Sequence, residues 1–106
     1  MTQEQLFLLA ASHPDIPQSF LDWLTDNFPI WERFEAESLR VVRSGRSHYS
    51  AYTIKEFIRH ETLLQETDGE FKLNNNLTPS LARLFALAHP EHAGLFEFRS
   101  VGQEAA

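Results

Sequence analysis

The sequence predicts a mainly α-helical single domain carrying one β-hairpin, most simply a helix-turn-helix of winged-helix-like architecture. Three observations predict it. Apolar residues recur every three or four positions over five or six segments, each bounded by Ser, Thr, Asp, Pro or Gly signals. Asp68-Gly69 separates two short stretches and is the dipeptide that a tight type I′ hairpin favours, because both central residues need positive φ. Residues 40–60, finally, concentrate positive charge on what reads as helix, short turn, helix.

Element by element, Thr2 caps a first helix with Gln5 as its capping-box partner, placing Leu6, Leu9 and Ala10 on one side until His13-Pro14 stops it. Asp15 with Pro17 just inside the next start gives a second helix. Its stripe is Phe20, Leu21, Leu24 and Phe28, and Asn27 with Pro29 closes it. Pro29 opens a third, with Ile30, Trp31, Phe34 and Val41 or Val42 inward, ending at Ser44-Gly45, where glycine suits the left-handed cap. Residues 45–49 form the turn. Ser50 then caps a fourth helix whose inward residues are Ala51, Ile54, Phe57, Ile58 and Leu64. The hairpin pairs residues 63–67 with 70–73, and Asn74, Asn75 and Asn76 make the following turn. Thr78-Pro79 starts a last long helix with Leu81, Leu84, Phe85 and Leu87 or Ala88, ended by His89-Pro90. Residues 90–93 make one more turn, Gly94 breaks it, and Leu95, Phe96 and Phe98 return to the core. The domain is expected over residues 1–101, with a frayed tail over 102–106.

A chain of 106 residues suits one compact core. Nine Phe and two Trp make that core aromatic, and Trp23, Trp31, Phe20, Phe28 and Phe34 fall at helical spacing, for which core packing is the default explanation. Any part of that cluster left exposed would be a protein-docking patch. The absence of cysteine excludes disulfides and thiolate metal sites and fits a reducing compartment. No apolar run approaches the roughly 18 residues that span a bilayer, so the sequence reads as cytoplasmic, with no membrane partner.

Charge is unevenly distributed. Residues 40–60 hold five of the nine cations and one of the fifteen acids, about +4, which leaves four cations and fourteen acids, about −10, elsewhere. The formal charge of −6 argues against a bulk-electrostatic nucleic-acid binder, but not against a local basic face. If Ile54, Phe57, Ile58 and Glu61 face inward, then Tyr52, Thr53, Lys55, Glu56 and Arg59 look outward, mixing phosphate and base-edge contacts. Arg43, Arg46, Ser47 and His48 would lie along the phosphate backbone. Asn75, near the base of the hairpin, is a further base reader, since Asn bonds bidentately to adenine. The blander alternative is that two adjacent helices occur in any small helical protein and that these arginines pair with Glu32, Glu35, Glu37 or Glu61. The acidic hairpin tip, Glu66, Asp68 and Glu70, would repel phosphate and weighs against a wing that touches DNA.

Other constellations are weaker. His89-Pro90-Glu91-His92 sets two imidazoles three apart, but no third ligand is indicated, and both histidines read as helix-end groups that complement carbonyls. Pro14-Asp15 and Glu70-Phe71-Lys72 mimic fragments of a PD-(D/E)xK nuclease, which needs a central sheet that this sequence does not predict. There is no phosphate-binding glycine loop and no Ser-His-acid order. Neither enzyme activity, catalytic residues nor a cofactor is expected.

Residues 46–54 (Arg46-Ser-His-Tyr-Ser-Ala-Tyr-Thr-Ile), residues 71–79 with Ala82-Arg83-Leu84-Phe85, and residues 89–99 resemble small reading frames carried by bacterial phages and prophages. The resemblance covers about two-thirds of the chain and implies a mobile-element origin without transferring an activity. It favours two kinds of product, a small DNA-binding regulator and an inhibitor of host defence.

The expectation is therefore a DNA-binding regulatory protein using Arg40, Arg43, Arg46, His48, Tyr52, Thr53, Lys55, Arg59 and Asn75. A homodimer would match a palindromic site, though no heptad seam demands one. The rival is an acidic interaction module that engages a host protein through Asp22, Asp26, Glu66, Asp68 and Glu70.

Overall fold

The computed structural model describes residues 2–65 and 77–96, which form five α-helices and one 3-10 turn. In chain order they are α1 (Gln3–Ala11), α2 (Gln18–Asp26), α3 (Phe28–Arg43), α4 (Ala51–Gln65), α5 (Thr78–Ala88) and η1 (Pro90–His92).

The expected capping box opens α1: Gln5 N–H donates to Thr2 Oγ1 at 3.1 Å, and Thr2 N–H donates to Gln5 Oε1 at 2.9 Å. Leu6 and Ala10 are buried, one turn apart, with Leu9 only partly covered. Pro17 stands one position outside α2, as its N-cap, and Phe20 and Leu24 carry the buried stripe. Asn27 Nδ2 donates to the Trp23 carbonyl at 2.9 Å and closes the helix. Helix α3 begins at Phe28 with Pro29 in its first turn, where the missing N–H costs nothing. Its buried line is Trp31, Phe34, Ser38 and Val41. Ser38 is tolerated there because its hydroxyl donates to the Phe34 carbonyl at 2.7 Å. Gly45 then takes φ +96°, the left-handed conformation that ends the helix.

Helix α1 packs against α2 and α5, and α3 packs against α2, α4 and α5. Arg33, near the start of α3, pairs with Glu61, near the end of α4, so these two helices run antiparallel. Phe96 joins the elements. Its ring lies 5.6 Å from Phe34 of α3 and 5.5 Å, edge-on, from Phe85 of α5. Fully burying such a ring contributes about 1.5–3 kcal/mol, and each favourable ring pair adds about 0.5–1.5 kcal/mol. The same segment reaches the α3–α4 connection, where Tyr49 N–H donates to the Leu95 carbonyl at 2.9 Å. Tyr49 and Phe96 thereby form an isolated parallel bridge.

The mainly α class holds, but the hairpin and the winged-helix-like architecture do not. Residues 63–65, expected in the first strand, are the last residues of α4, and no strand or sheet forms among the described residues. Leu63, Leu64 and Gln65 are good helix formers that extend an existing helix at the cost of one residue's ordering each, whereas a strand needs a partner. Asp68-Gly69, residues 70–73, the three asparagines, Phe98 and the tail lie outside the described residues. The connection between α3 and α4 runs over residues 44–50, longer than the three or four residues of a tight helix-turn-helix. Thr78 is the first residue of α5 instead of its cap, and its buried hydroxyl has no hydrogen-bond partner among the described residues.

Candidate nucleic-acid interface

The last turn of α3, the connection and the outward side of α4 carry most of the sequence-predicted residues, in three different electrostatic situations. Arg43 and Arg46 are the available cations. Both are exposed, and neither forms an ion pair among the described residues. The Arg46 guanidinium lies 5.8 Å from the centre of the Tyr49 ring, a cation–π contact that leaves its N–H groups open to an anion. Arg43 lies in the last turn of α3, where a cation also complements the negative helix end. From residue 38 to residue 55 the chain has no acid at all.

Arg40 is engaged. Its Nε lies 3.1 and 3.2 Å from the two Glu37 oxygens and its Nη2 2.9 Å from Oε2, a bidentate geometry. These hydrogen bonds, and the Glu37 charge behind them, raise the arginine's pKa further above its ordinary value. Arg59 is exposed, with Nη1 3.9 Å from Glu56 Oε1, a loose pair at the edge of contact range. The alternative reading of the arginines as partners of glutamates thus describes Arg40 with Glu37 and Arg33 with Glu61.

Lys55 corrects the sequence reading. Expected outward, it is 3% exposed, on the buried side of α4 with Ala51, Ile54 and Ile58. Its ammonium pairs with Glu56. The hydrogen bond from Lys55, aided by its charge and that of Arg59, lowers the Glu56 pKa against an opposing desolvation. The physical reason for the miss is that a lysine's four-carbon stem packs like an apolar side chain while its head reaches a carboxylate.

Phe57 is the converse. Expected inward with Ile54 and Ile58, it is 42% exposed, and Tyr52 is 47% exposed, as expected. Once Lys55 is counted on the inward stripe, Phe57 falls roughly 100° round the helix from Ile58. The outward side of α4 is then Tyr52, Thr53, Glu56, Phe57, Arg59 and His60. His48 is exposed on the connection, and Asn75 lies outside the described residues.

A second polar cluster sits elsewhere. His89 Nε2 lies 2.7 Å from Glu35 Oε2, and the same ring lies tilted against Phe85, 4.8 Å between ring centres. Glu91 Oε1 stands 3.6 Å from His89 Nδ1 and 3.8 Å from His92 Nε2. Both histidines stand at helix ends, His89 as the C-cap of α5 and His92 in the last turn of η1, and both also lie near carboxylates. Among the described residues no three His, Asp or Glu side chains are placed to hold a metal ion, and no helix is long and apolar enough to cross a membrane. No family model matches the chain, and neither a curated protein nor a solved structure matches it.

Proposed function

We propose that the chain binds nucleic acid, with DNA as the first candidate, through the end of α3, the α3–α4 connection and the outward side of α4. The observation that carries this reading is the pair of exposed guanidinium groups, Arg43 and Arg46, that form no ion pair among the described residues and lie in an acid-free run of an otherwise acidic chain. An arginine with no carboxylate partner exchanges only water and counterions for phosphate, so binding it costs no internal ion pair. Arg40 must leave Glu37 to do the same and contributes less. Lys55 contributes through the fold alone. His48, Tyr52 and Thr53 are exposed on the connection and on α4 and offer hydrogen-bonding groups. The resemblance to phage and prophage reading frames fits a mobile-element product, of which a small DNA-binding regulator is one kind and an inhibitor of host defence the other.

Titrating a labelled DNA at several salt concentrations tests the reading. Arg43→Ala and Arg46→Ala should each weaken binding across sequences and reduce the slope of log K against log salt by about one. Arg40→Ala should change that slope less. Binding that is absent at low salt, or indifferent to salt, would remove the reading and favour the rival, a protein-interaction module using the exposed Asp22 and Asp26 of α2.

A further inference from the structure

The outward side of α4 is chemically unlike a surface built to read the edges of paired bases. Its flanks are two exposed rings, Tyr52 and Phe57, and between them lie Thr53, Glu56 and His60. Five residues apart on a helix, the rings are separated by about 7.5 Å along the axis and roughly 140° around it. They cannot merge into one apolar patch of the kind that docks a protein's hydrophobic centre. Two separate rings suit two separate planar groups.

Base stacking supplies such groups where the bases are not already stacked in a duplex. A base in a single strand gains a ring partner directly, whereas a paired base must first be unstacked at a cost of a few kcal/mol. The rings project from different sides of the helix as well as about 7.5 Å apart along it, so a flexible single strand of several nucleotides, bending round α4, is needed to reach both. Arg43 and Arg46 before the helix and Arg59 on it supply cations for the phosphates. Glu56 rejects phosphate between the rings and can accept a hydrogen bond from a base amino group.

From this arrangement, and resting on the surface proposed above, we infer that the ligand is a single-stranded nucleic acid, DNA or RNA, stacked on Tyr52 and Phe57. The phosphates follow the arginines and the bases face α4.

Fluorescence anisotropy of the full chain with labelled strands of about 16 nucleotides tests the inference. Single-stranded DNA, single-stranded RNA and duplex DNA of one sequence are compared at about 50 and 200 mM salt. At least one single strand should bind about tenfold or more tightly than the duplex, and the ratio between the two single strands identifies the sugar preferred. Tyr52→Ala and Phe57→Ala should each weaken that binding by about 5- to 100-fold with the salt slope unchanged. Tyr52→Phe and Phe57→Tyr, which keep a ring, should retain it. Circular dichroism verifies that each variant is folded. Duplex binding as tight as single-strand binding, or folded alanine variants that bind like the parent, would overturn the single-strand inference while leaving the surface reading in place. No binding of any strand would remove both.

Discussion

Glu56 shows how one exposed side chain can be set by its neighbours. Lys55 and Arg59 hold its carboxyl below the ordinary value of 4.5, the Lys55 hydrogen bond being the larger cause. Because the folded form holds its proton less tightly than the unfolded chain does, this group adds stability above pH 4.5. The contribution fades as pH falls through the lower folded value. Glu56→Gln removes it. Urea midpoints of the parent and the variant should therefore differ most near neutral pH and converge on acidification below 4.5, and a difference that stays constant across that range would disprove the coupling. The same residue also keeps Lys55 from acting as a surface cation, since the ammonium is buried against it. Charge counting along a sequence registers Lys55 and Arg43 alike as +1, whereas Arg43, unlike Lys55, presents that charge to solvent with no ion-pair partner among the described residues.

At the scale of elements, the link between α3 and the end of α5 rests on a pair far apart in sequence, Glu35 and His89, 2.7 Å apart and both partly covered. A hydrogen bond to an ionised group is worth about 1.5–3 kcal/mol, less where water competes. A double-mutant cycle with Glu35→Ala and His89→Ala should accordingly give a coupling of about 1 kcal/mol in denaturation experiments, and additive effects would show that the contact is incidental. No periodicity encodes such a pair. What the sequence does encode is local: the Thr2–Gln5 box, the prolines at the starts of α3 and α5, and the left-handed Gly45 are each legible because one or two adjacent residues decide them. Residues 63–65 were illegible for the opposite reason, since a short apolar stretch satisfies helix and strand patterns equally and the preceding helix decides between them. The candidate interface was half legible. Arg43, Arg46, His48, Tyr52 and Thr53 are each exposed. Phe57 and Lys55 exchange sides because a period-3.6 reading assigns inward positions by hydrophobicity and α4 buries a lysine stem instead.

For the whole molecule, the placement of the interface depends on a segment that carries none of its contacts. Phe96 is buried between Phe34 and Phe85, and the adjacent Leu95 carbonyl receives the Tyr49 N–H, so the C-terminal side of η1 ties the core directly to the α3–α4 connection. Removing the ring opens a cavity bordered by α3 and α5 at once, and Phe→Ala in such a position costs about 3–5 kcal/mol, a large share of the roughly 5–15 kcal/mol available to a domain. Phe96→Ala should therefore lower the urea midpoint strongly, with near- and far-ultraviolet circular dichroism changing together because the helices share one core. It should also weaken nucleic-acid binding while the variant is still folded, since the backbone bond that anchors Tyr49, and with it Arg46, loses its support. The salt slope should stay that of the parent, because every arginine of the proposed interface is still present. If the folded variant instead binds like the parent, Arg43 and Arg46 are positioned by α3 and α4 alone, and the Leu95–Phe96 segment stabilises the fold without shaping the surface.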